Sequence, residues 1–501
     1  MADITGTGAN DVLVGTNDDD TLNGLFGADK MAGGDGNDVY FVDQAGDVVT
    51  ELADKGFVDR IVTTVSTTLA ANAEFLELVG GALNGTGNKQ ENVLLGNSFD
   101  NTLDGGDGHD LLSGGLGKDT LIGGKGDDYI TDNSGQNLLQ GGADNDTLTG
   151  FNGDNVMEGG AGDDRYYVDS ASDQVVEQAG QGTDVVFTHI SFDLSTKGTQ
   201  VEELYLNGSK NQDGTGNELA NYIVGNDYEN KIDGRGGNDT LSGGEGNDAL
   251  IGGDGNDDLD GQDGVDTLNG GKGNDVYYIA DNDSVIDESG VDEVIREDSI
   301  ELGELGAYDD NKVFVVAAIE RLTLVGTGDY AGGGNGLDNT INGNRGDNEL
   351  RGYEGNDTLF GGDGSDTLKG GAGNDAMIGG KGDDTYWADS KTEAVTESAG
   401  EGYDTVIADV SYLLGANIER LKLGNNSVDG TGNALDNLIS AGSGNNVLDG
   451  AAGNDTSKAA TATTPCTAAQ ATTGCTAATA TTASWAAMAT TTCRATTAPT
   501  P

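Results

Sequence analysis

An all-β solenoid with β-rich inserts is the fold class this sequence predicts, and three observations carry it. From Gly234 to Tyr278 one nine-residue phrase runs five times, as GRGGNDTLS, GGEGNDALI, GGDGNDDLD, GQDGVDTLN and GGKGNDVYY. The phrase has the form G-G-x-G-x-D-x-U-x, with U a large apolar residue, and it returns in phase in four other blocks. Between the blocks Val, Ile, Leu and Thr alternate in the manner of strands, and only three prolines interrupt 501 residues. A repeat of this length stacks, because one turn cannot bury its apolar face alone.

Each part of the phrase has its own physical task. The glycines permit positive φ where the chain bends tightly. The residues after Asp make a very short strand with one inward apolar side chain. The sixth-position Asp (Asp239, Asp248, Asp257, Asp266 and Asp275 here) puts an oxygen at a fixed place on every turn. Stacking then lines each edge with carboxylates, which suits Ca²⁺ and its roughly six to eight hard oxygen ligands.

Along the chain, the first repeat block (1–38) carries Asp11, Asp20, Asp29 and Asp38, and an insert (39–84) follows. The second block (85–164) carries Asp110, Asp119, Asp128, Asp146 and Asp164, with Asn137 and Asn155 in the sixth position as weakening interruptions; the next insert is 165–213. The third block (214–275) has the five Asp turns already named, uninterrupted, and is expected to respond most to calcium. After the insert 276–331, the fourth block (332–384) carries Asp357, Asp366, Asp375 and Asp384. A last insert (385–429) leads to a truncated fifth block (430–458) with Asp455.

The inserts resemble one another. Each opens on an aromatic phrase (Tyr40-Phe41, Tyr166-Tyr167, Tyr277-Tyr278, Tyr386-Trp387), continues through an acidic β-like run such as Val48-Val49-Thr50-Glu51, and reaches a strand of the type IERLTL (Ile319–Leu324). The duplicated unit is therefore a module of roughly 110 to 125 residues, present about four times. The first two turns of each return to the repeat carry Asn: Asn92 and Asn101, Asn221 and Asn230, Asn339 and Asn348, Asn437 and Asn446. Asn bonds locally and tolerates the left-handed region, so these read as metal-free or weak coils. Continuation of the solenoid through the inserts is favoured over side sheets.

The phased glycines, aspartates and apolar residues resemble the repeats-in-toxin, or hemolysin-type calcium-binding, family. The resemblance is specific, since nineteen sixth-position Asp residues fall in phase. It implies a parallel β-roll, Ca²⁺ held between turns by Asp carboxylates and backbone carbonyls, and bacterial secretion by a type I exporter.

With 87 acidic and 24 basic residues the formal charge is -63. Such self-repulsion opposes compaction of a bare chain, and divalent cations relieve it, so folding and calcium binding are expected to be linked. On the order of ten Ca²⁺ ions are expected. The acidity argues against nucleic acid or an anionic membrane surface as partner. No apolar run is long enough to span a membrane, and Met1 leads into the repeats without a basic and apolar leader, so an N-terminal secretory signal is not expected.

After Lys458 the composition changes, and residues 459–501 are Ala/Thr-rich with no carboxylate. The nine-residue phase nevertheless survives as AATATTPCT, AAQATTGCT, AATATTASW and AAMATTTCR. Glycine codons GGC-GGC read one base late begin Ala-Ala, and GGC-AAC-GAC becomes Ala-Thr-Thr. The tail therefore reads as a frameshift product, natural or a sequencing error, and is expected to be disordered. Cys466, Cys475 and Cys493 fall where U belongs, so they are neither a disulfide framework nor a zinc site. Export of this truncated frame is not expected, because the family's C-terminal signal is absent from it; the in-frame parent is expected to use the exporter.

No catalytic site is expected. His109 is a variable turn residue of GGDGHD, and His189 is a strand residue without a second ligand at zinc spacing. Neither H-E-x-x-H nor a G-x-S-x-G elbow occurs. The aromatic phrases read as packing residues at the junction of roll and insert rather than as a sugar-binding face. The reading is a secreted, extracellular, non-catalytic calcium-binding β-roll with no other cofactor. The alternatives are an accessory repeat region of a secreted hydrolase, epimerase or toxin, or an adhesin that binds cell-surface or matrix polysaccharide.

Overall fold

The computed structural model describes residues 2–53, 58–280, 283–302, 314–315, 319–424, 428–443 and 446–459, and three strands beyond: Cys466–Ala468, Gly474–Ala477 and Cys493–Ala495. Two compact units are distinguished, Met1–Asp258 and Leu259–Pro501. Among the described residues the structure is almost wholly parallel strand, with one four-residue helix, Leu194–Lys197, whose first turn Asp193 caps. No described helix is long and apolar enough to cross a membrane.

The second block shows how the first unit is built. Strands Thr102–Asp107, Thr120–Lys125, Leu138–Ala143 and Val156–Ala161 form one sheet, in the register Leu103↔Leu121↔Leu139↔Met157. Leu111–Ser113, Tyr129–Asp132, Thr147–Gly150 and Arg165–Val168 form the other, in the register Leu112↔Ile130↔Leu148↔Tyr166. One coil is thus two nonapeptides, one for each sheet. A parallel pair needs a crossover, and here the intervening nonapeptide supplies it. The apolar U residues are fully buried between the sheets, and each contributes roughly 1.5 to 3 kcal/mol by leaving water.

The three glycines of the phrase do different work. The second and fourth have positive φ, as at Gly106 (108°) and Gly108 (131°). Arg235 (75°) occupies the second position without the freedom of glycine. The first glycine is required for space: a Cβ on Gly123 would stand 2.2 Å from Asp128 Oδ2.

The inserts continue the solenoid with coils of altered length. In the first unit Tyr40 pairs with Ile61, Ile61 with Leu76, and Leu76 with Leu94, all parallel and all buried. In the second unit the register Tyr386↔Val406↔Leu421↔Ile439 does the same. Strand alternation splits each aromatic phrase, because neighbouring side chains point to opposite faces. Tyr40, Tyr166, Tyr277 and Tyr386 are fully buried, whereas Phe41, Tyr167, Tyr278 and Trp387 are about 40 % exposed. The expected packing role therefore holds for the first aromatic and not for the second.

In the tail, Gly474–Ala477 lies beside Thr456–Ala459, and Cys466–Ala468 beside Leu448–Asp449. The registers Ser457↔Cys475 and Leu448↔Cys466 keep the step of the repeat past the change in composition. For the rest of 460–501 the expectation of disorder lies outside the described residues.

Candidate metal centre

The sixth-position residues form two columns, because alternate turns fall on opposite edges of the coil. In the first unit one column starts at Asn92, whose N–H donates to Asp110 Oδ1 at 2.6 Å. The Asp110 N–H donates to Asp128 Oδ1 (2.7 Å), Asp128 to Asp146 (2.8 Å), and Asp146 to Asp164 (2.7 Å). Each step spans eighteen residues, one full coil. One oxygen of every carboxylate is thereby fixed on the backbone of the preceding coil.

The second oxygen is turned inward. Oδ2 of Asp110, Asp128, Asp146 and Asp164 is buried and accepts no hydrogen bond. It folds onto the first-position glycine of its own turn, so that a Cβ on Gly105, Gly141 or Gly159 would lie 2.2 to 2.3 Å from it. Burial, only partly offset by the backbone hydrogen bond, pushes Asp110 up to about 6, Asp128 and Asp164 to about 7, and Asp146 to about 8. A row of buried, like-charged oxygens without donors opposes folding unless a cation neutralises it.

The second unit repeats the arrangement. Asp357 N–H donates to Asp375 Oδ1 (2.8 Å) and Asp366 N–H to Asp384 Oδ1 (2.7 Å). Oδ2 of Asp357, Asp366, Asp375, Asp384 and Asp455 is buried without a hydrogen bond. Burial raises Asp366 to about 7, and Asp357 and Asp384 to about 6. The third block follows the same pattern within each unit: Asn221 to Asp239 (2.7 Å), Asn230 to Asp248 (2.7 Å) and Asp239 to Asp257 (2.8 Å) in the first, with Asp266 to Asp283 (2.9 Å) and Asp275 to Asp292 (2.8 Å) in the second. In the first block Asp11 donates to Asp29 Oδ1 and Asp20 to Asp38 Oδ1, both at 2.7 Å.

Asp11 and Asp20 depart from the pattern expected of a ligand. The N–H and hydroxyl of Thr7 both donate to Asp11 Oδ2, and those of Thr16 to Asp20 Oδ2. The Thr16 N–H, the largest influence, holds the Asp20 carboxyl below its usual value. Their inward oxygens are therefore already satisfied. Thr in place of the second glycine was the sequence signal.

The Asn turns are satisfied in a related way. Asn92 Oδ1 accepts from Asn88 N–H, and the amide of Asn221 donates to Val201 O. At Asn92 and Asn221 the amide both accepts and donates without an ion, whereas Nδ2 of Asn137 and Asn155 is buried without an acceptor. Asn137 and Asn155 prove to share a column with Asp119, whose N–H donates to Asn137 Oδ1 (2.8 Å). The second block is thus an unbroken acidic column on one edge and an amide-rich one on the other.

Residues not singled out from the sequence extend the columns into the inserts. Asp38 N–H donates to Asp59 Oδ1, Asp164 to Asp184, and Asp384 to Asp404. Asp59 N–H in turn donates to Glu74, Asp184 to Glu202, and Asp404 to Glu419. The trace was present as Gly182-Thr183-Asp184 and Gly402-Tyr403-Asp404, half of the repeat phrase. His109 is exposed and accepts from Asp127 N–H. His189 is exposed at the bend just after strand Val185–Thr188, not within it.

The donors fit Ca²⁺: they are hard oxygens, stacked at one coil per step, with a carboxylate oxygen that accepts no hydrogen bond on Asp110, Asp128, Asp146 and Asp164 and on Asp357, Asp366, Asp375 and Asp384. The Asp columns would hold the ion, whose positive charge offsets their repulsion. No curated protein matches this chain. The sequence model of the RTX calcium-binding nonapeptide repeat matches residues 5–40, 95–130, 131–166, 215–250, 242–277, 333–368, 360–390 and 431–457, just over half of the chain and the same segments that carry the columns. The chain therefore belongs to the RTX calcium-binding nonapeptide repeat family.

Proposed function

We propose that this calcium-binding β-roll is a secreted, non-catalytic protein that stays unfolded where calcium is scarce and folds when it meets calcium outside the cell. The observation that supports the reading is the row of buried Oδ2 atoms without donors, from Asp110 to Asp164 and again from Asp357 to Asp384. Without a cation these rows cost more than a marginally stable fold tolerates; with one they become the strongest cross-links between coils. A chain that cannot fold before export remains threadable through a type I exporter, which is the partner expected for the in-frame parent.

The test compares far-UV circular dichroism and hydrodynamic radius in chelator and in millimolar Ca²⁺. A disordered spectrum that turns into a β spectrum, with a marked fall in radius, is the expected result. Identical spectra in the two conditions would remove the proposal.

A second reading, an adhesin for a surface or matrix polysaccharide, is favoured by one feature of the first unit. Tyr167, Phe187 and Tyr205 stack along one outer face, with ring centroids 5.2 and 5.1 Å apart, and Tyr222 continues the row, tilted by 60° at 5.9 Å. Such a ladder offers flat apolar surface to sugar rings. Calcium-dependent retention on immobilised polysaccharide, lost in Phe187→Ala and Tyr205→Ala, would support it; retention unaffected by both would not.

A further inference from the structure

Each passage from repeat block to insert brings together three acidic residues that lie far apart in the sequence. In the first unit these are Asp38, Glu51 and Asp59, and Asp164, Glu177 and Asp184. In the second they are Asp275, Asp287 and Asp292, and Asp384, Glu397 and Asp404. In every set one carboxylate oxygen from each residue lies within 4.8 Å of the other two. Three points so confined leave a position no more than about 2.8 Å from all of them, close to the calcium–oxygen distance of about 2.3 to 2.6 Å.

The middle residue of the triad distinguishes these places from the ordinary turns. Glu51 and Glu397 are each only 7 % exposed. Glu51 spends one oxygen on the Leu52 N–H, and its Oε1 has no partner. Glu397 accepts from the Tyr386 hydroxyl, and its Oε2 has none. In the same two sets Asp38 Oδ2 and Asp384 Oδ2 are likewise buried without a hydrogen bond. A buried carboxylate that reaches back to two others, with no cationic side chain in the set, has no opposite charge from the protein to offset its own. A buried tyrosine closes three of the four sites: Tyr166 donates to Glu177, Tyr386 to Glu397, and Tyr277 to Asp287.

We propose that each triad is a calcium site of a second kind, which clamps the first coil of the insert onto the last coil of the block. Ligands drawn only from carboxylates, with a tyrosine hydroxyl alongside, select a hard divalent cation, and the absence of nitrogen or sulfur from the set disfavours zinc. The middle carboxylate (Glu51, Glu177, Asp287 or Glu397) comes from the acidic run of the insert, outside the nonapeptide phrase. The site therefore goes beyond the family's repeat sites: its first Asp belongs to the phrase, its third Asp continues the column into the insert, and its middle carboxylate has no counterpart in the phrase.

The test uses the full chain with Glu51→Gln and Glu397→Gln together, which keep shape and remove charge. Calcium bound is counted by native mass spectrometry and the thermal midpoint is measured in calcium. A true site predicts two fewer ions and a lower midpoint in calcium. If no ion binds there, the same change removes two buried charges, so the midpoint rises while the ion count stays as in the wild type, and the proposal is overturned. Glu397→Asp, which keeps the charge, guards against simple misfolding: it should retain the ion at a higher calcium requirement, and an ion count equal to that of Glu397→Gln would count against the site. A wild-type chain that binds no calcium would instead sink the repeat sites and the triads together.

Discussion

Asp146→Asn should change stability in opposite directions with and without calcium. Asp146 is fully buried, its Oδ1 accepts from Asp128 N–H, and its Oδ2 has no hydrogen bond. Burial pushes its carboxyl from the usual value up to about 8. An ionised unfolded carboxyl at pH 7 must therefore take up a proton or bury its charge on folding, a cost of about 4 kcal/mol. Asn keeps the Oδ1 acceptor and removes that cost. In chelator, where an osmolyte drives folding of the wild-type chain, the variant should need markedly less of it. In saturating calcium the sign reverses, since a charged ligand is lost between Asp128 and Asp164. At least a tenfold rise in the calcium needed for folding is expected, about 1.4 kcal/mol for each site affected. Circular dichroism along an osmolyte titration in chelator and along a calcium titration measures both. A variant destabilised equally in the two conditions would refute the reasoning, because the carboxylate would then be only a hydrogen-bond acceptor.

Acid should substitute in part for calcium. The column carboxylates have folded values raised to about 6 to 8, so their burden is absent below the unfolded value and grows as pH rises through the folded one. The calcium-free chain should accordingly gain β structure as pH falls from 8 to 4, while calcium affinity drops over the same window; a calcium midpoint independent of pH would contradict this. Asp20→Asn should leave the number of bound ions unchanged, because Thr16 already satisfies that carboxylate, whereas Asp128→Asn should lower it; native mass spectrometry in calcium separates the two. Arg235→Gly should stabilise the folded chain in calcium by about 1 kcal/mol, since only glycine sits at a φ of 75° without strain, and an unchanged or lowered urea midpoint would count against this.

Much of the local design was legible in the residues. Period nine with G-G-x-G-x-D-x-U-x specifies tight turns, one inward apolar side chain per turn and a carboxylate at each bend, because these follow from backbone freedom and from burial. The parallel roll, the buried Leu112, Leu121 and Ile130, and calcium as the cation were all within reach of that reasoning. The local hydrogen bonds of turns such as Asn92 and Asn221 also followed from the chemistry of one side chain.

What the tertiary structure decided is which turns are neighbours. Alternate turns face opposite edges, so Asn137 and Asn155 spoil one column and leave Asp110 to Asp164 intact on the other. Five consecutive Asp turns, as in the third block, are likewise divided between two edges. The longest run in sequence is therefore not the longest run in space. Asp38, Glu51 and Asp59 converge only because the insert closes another coil on the block, and no spacing rule joins residues across coils of unequal length. The first glycine was assigned to backbone freedom but is needed because Asp Oδ2 occupies the place of its Cβ. Sequence periodicity fixes what each turn offers; only the stacking of coils sets which oxygens are close enough to share a charge.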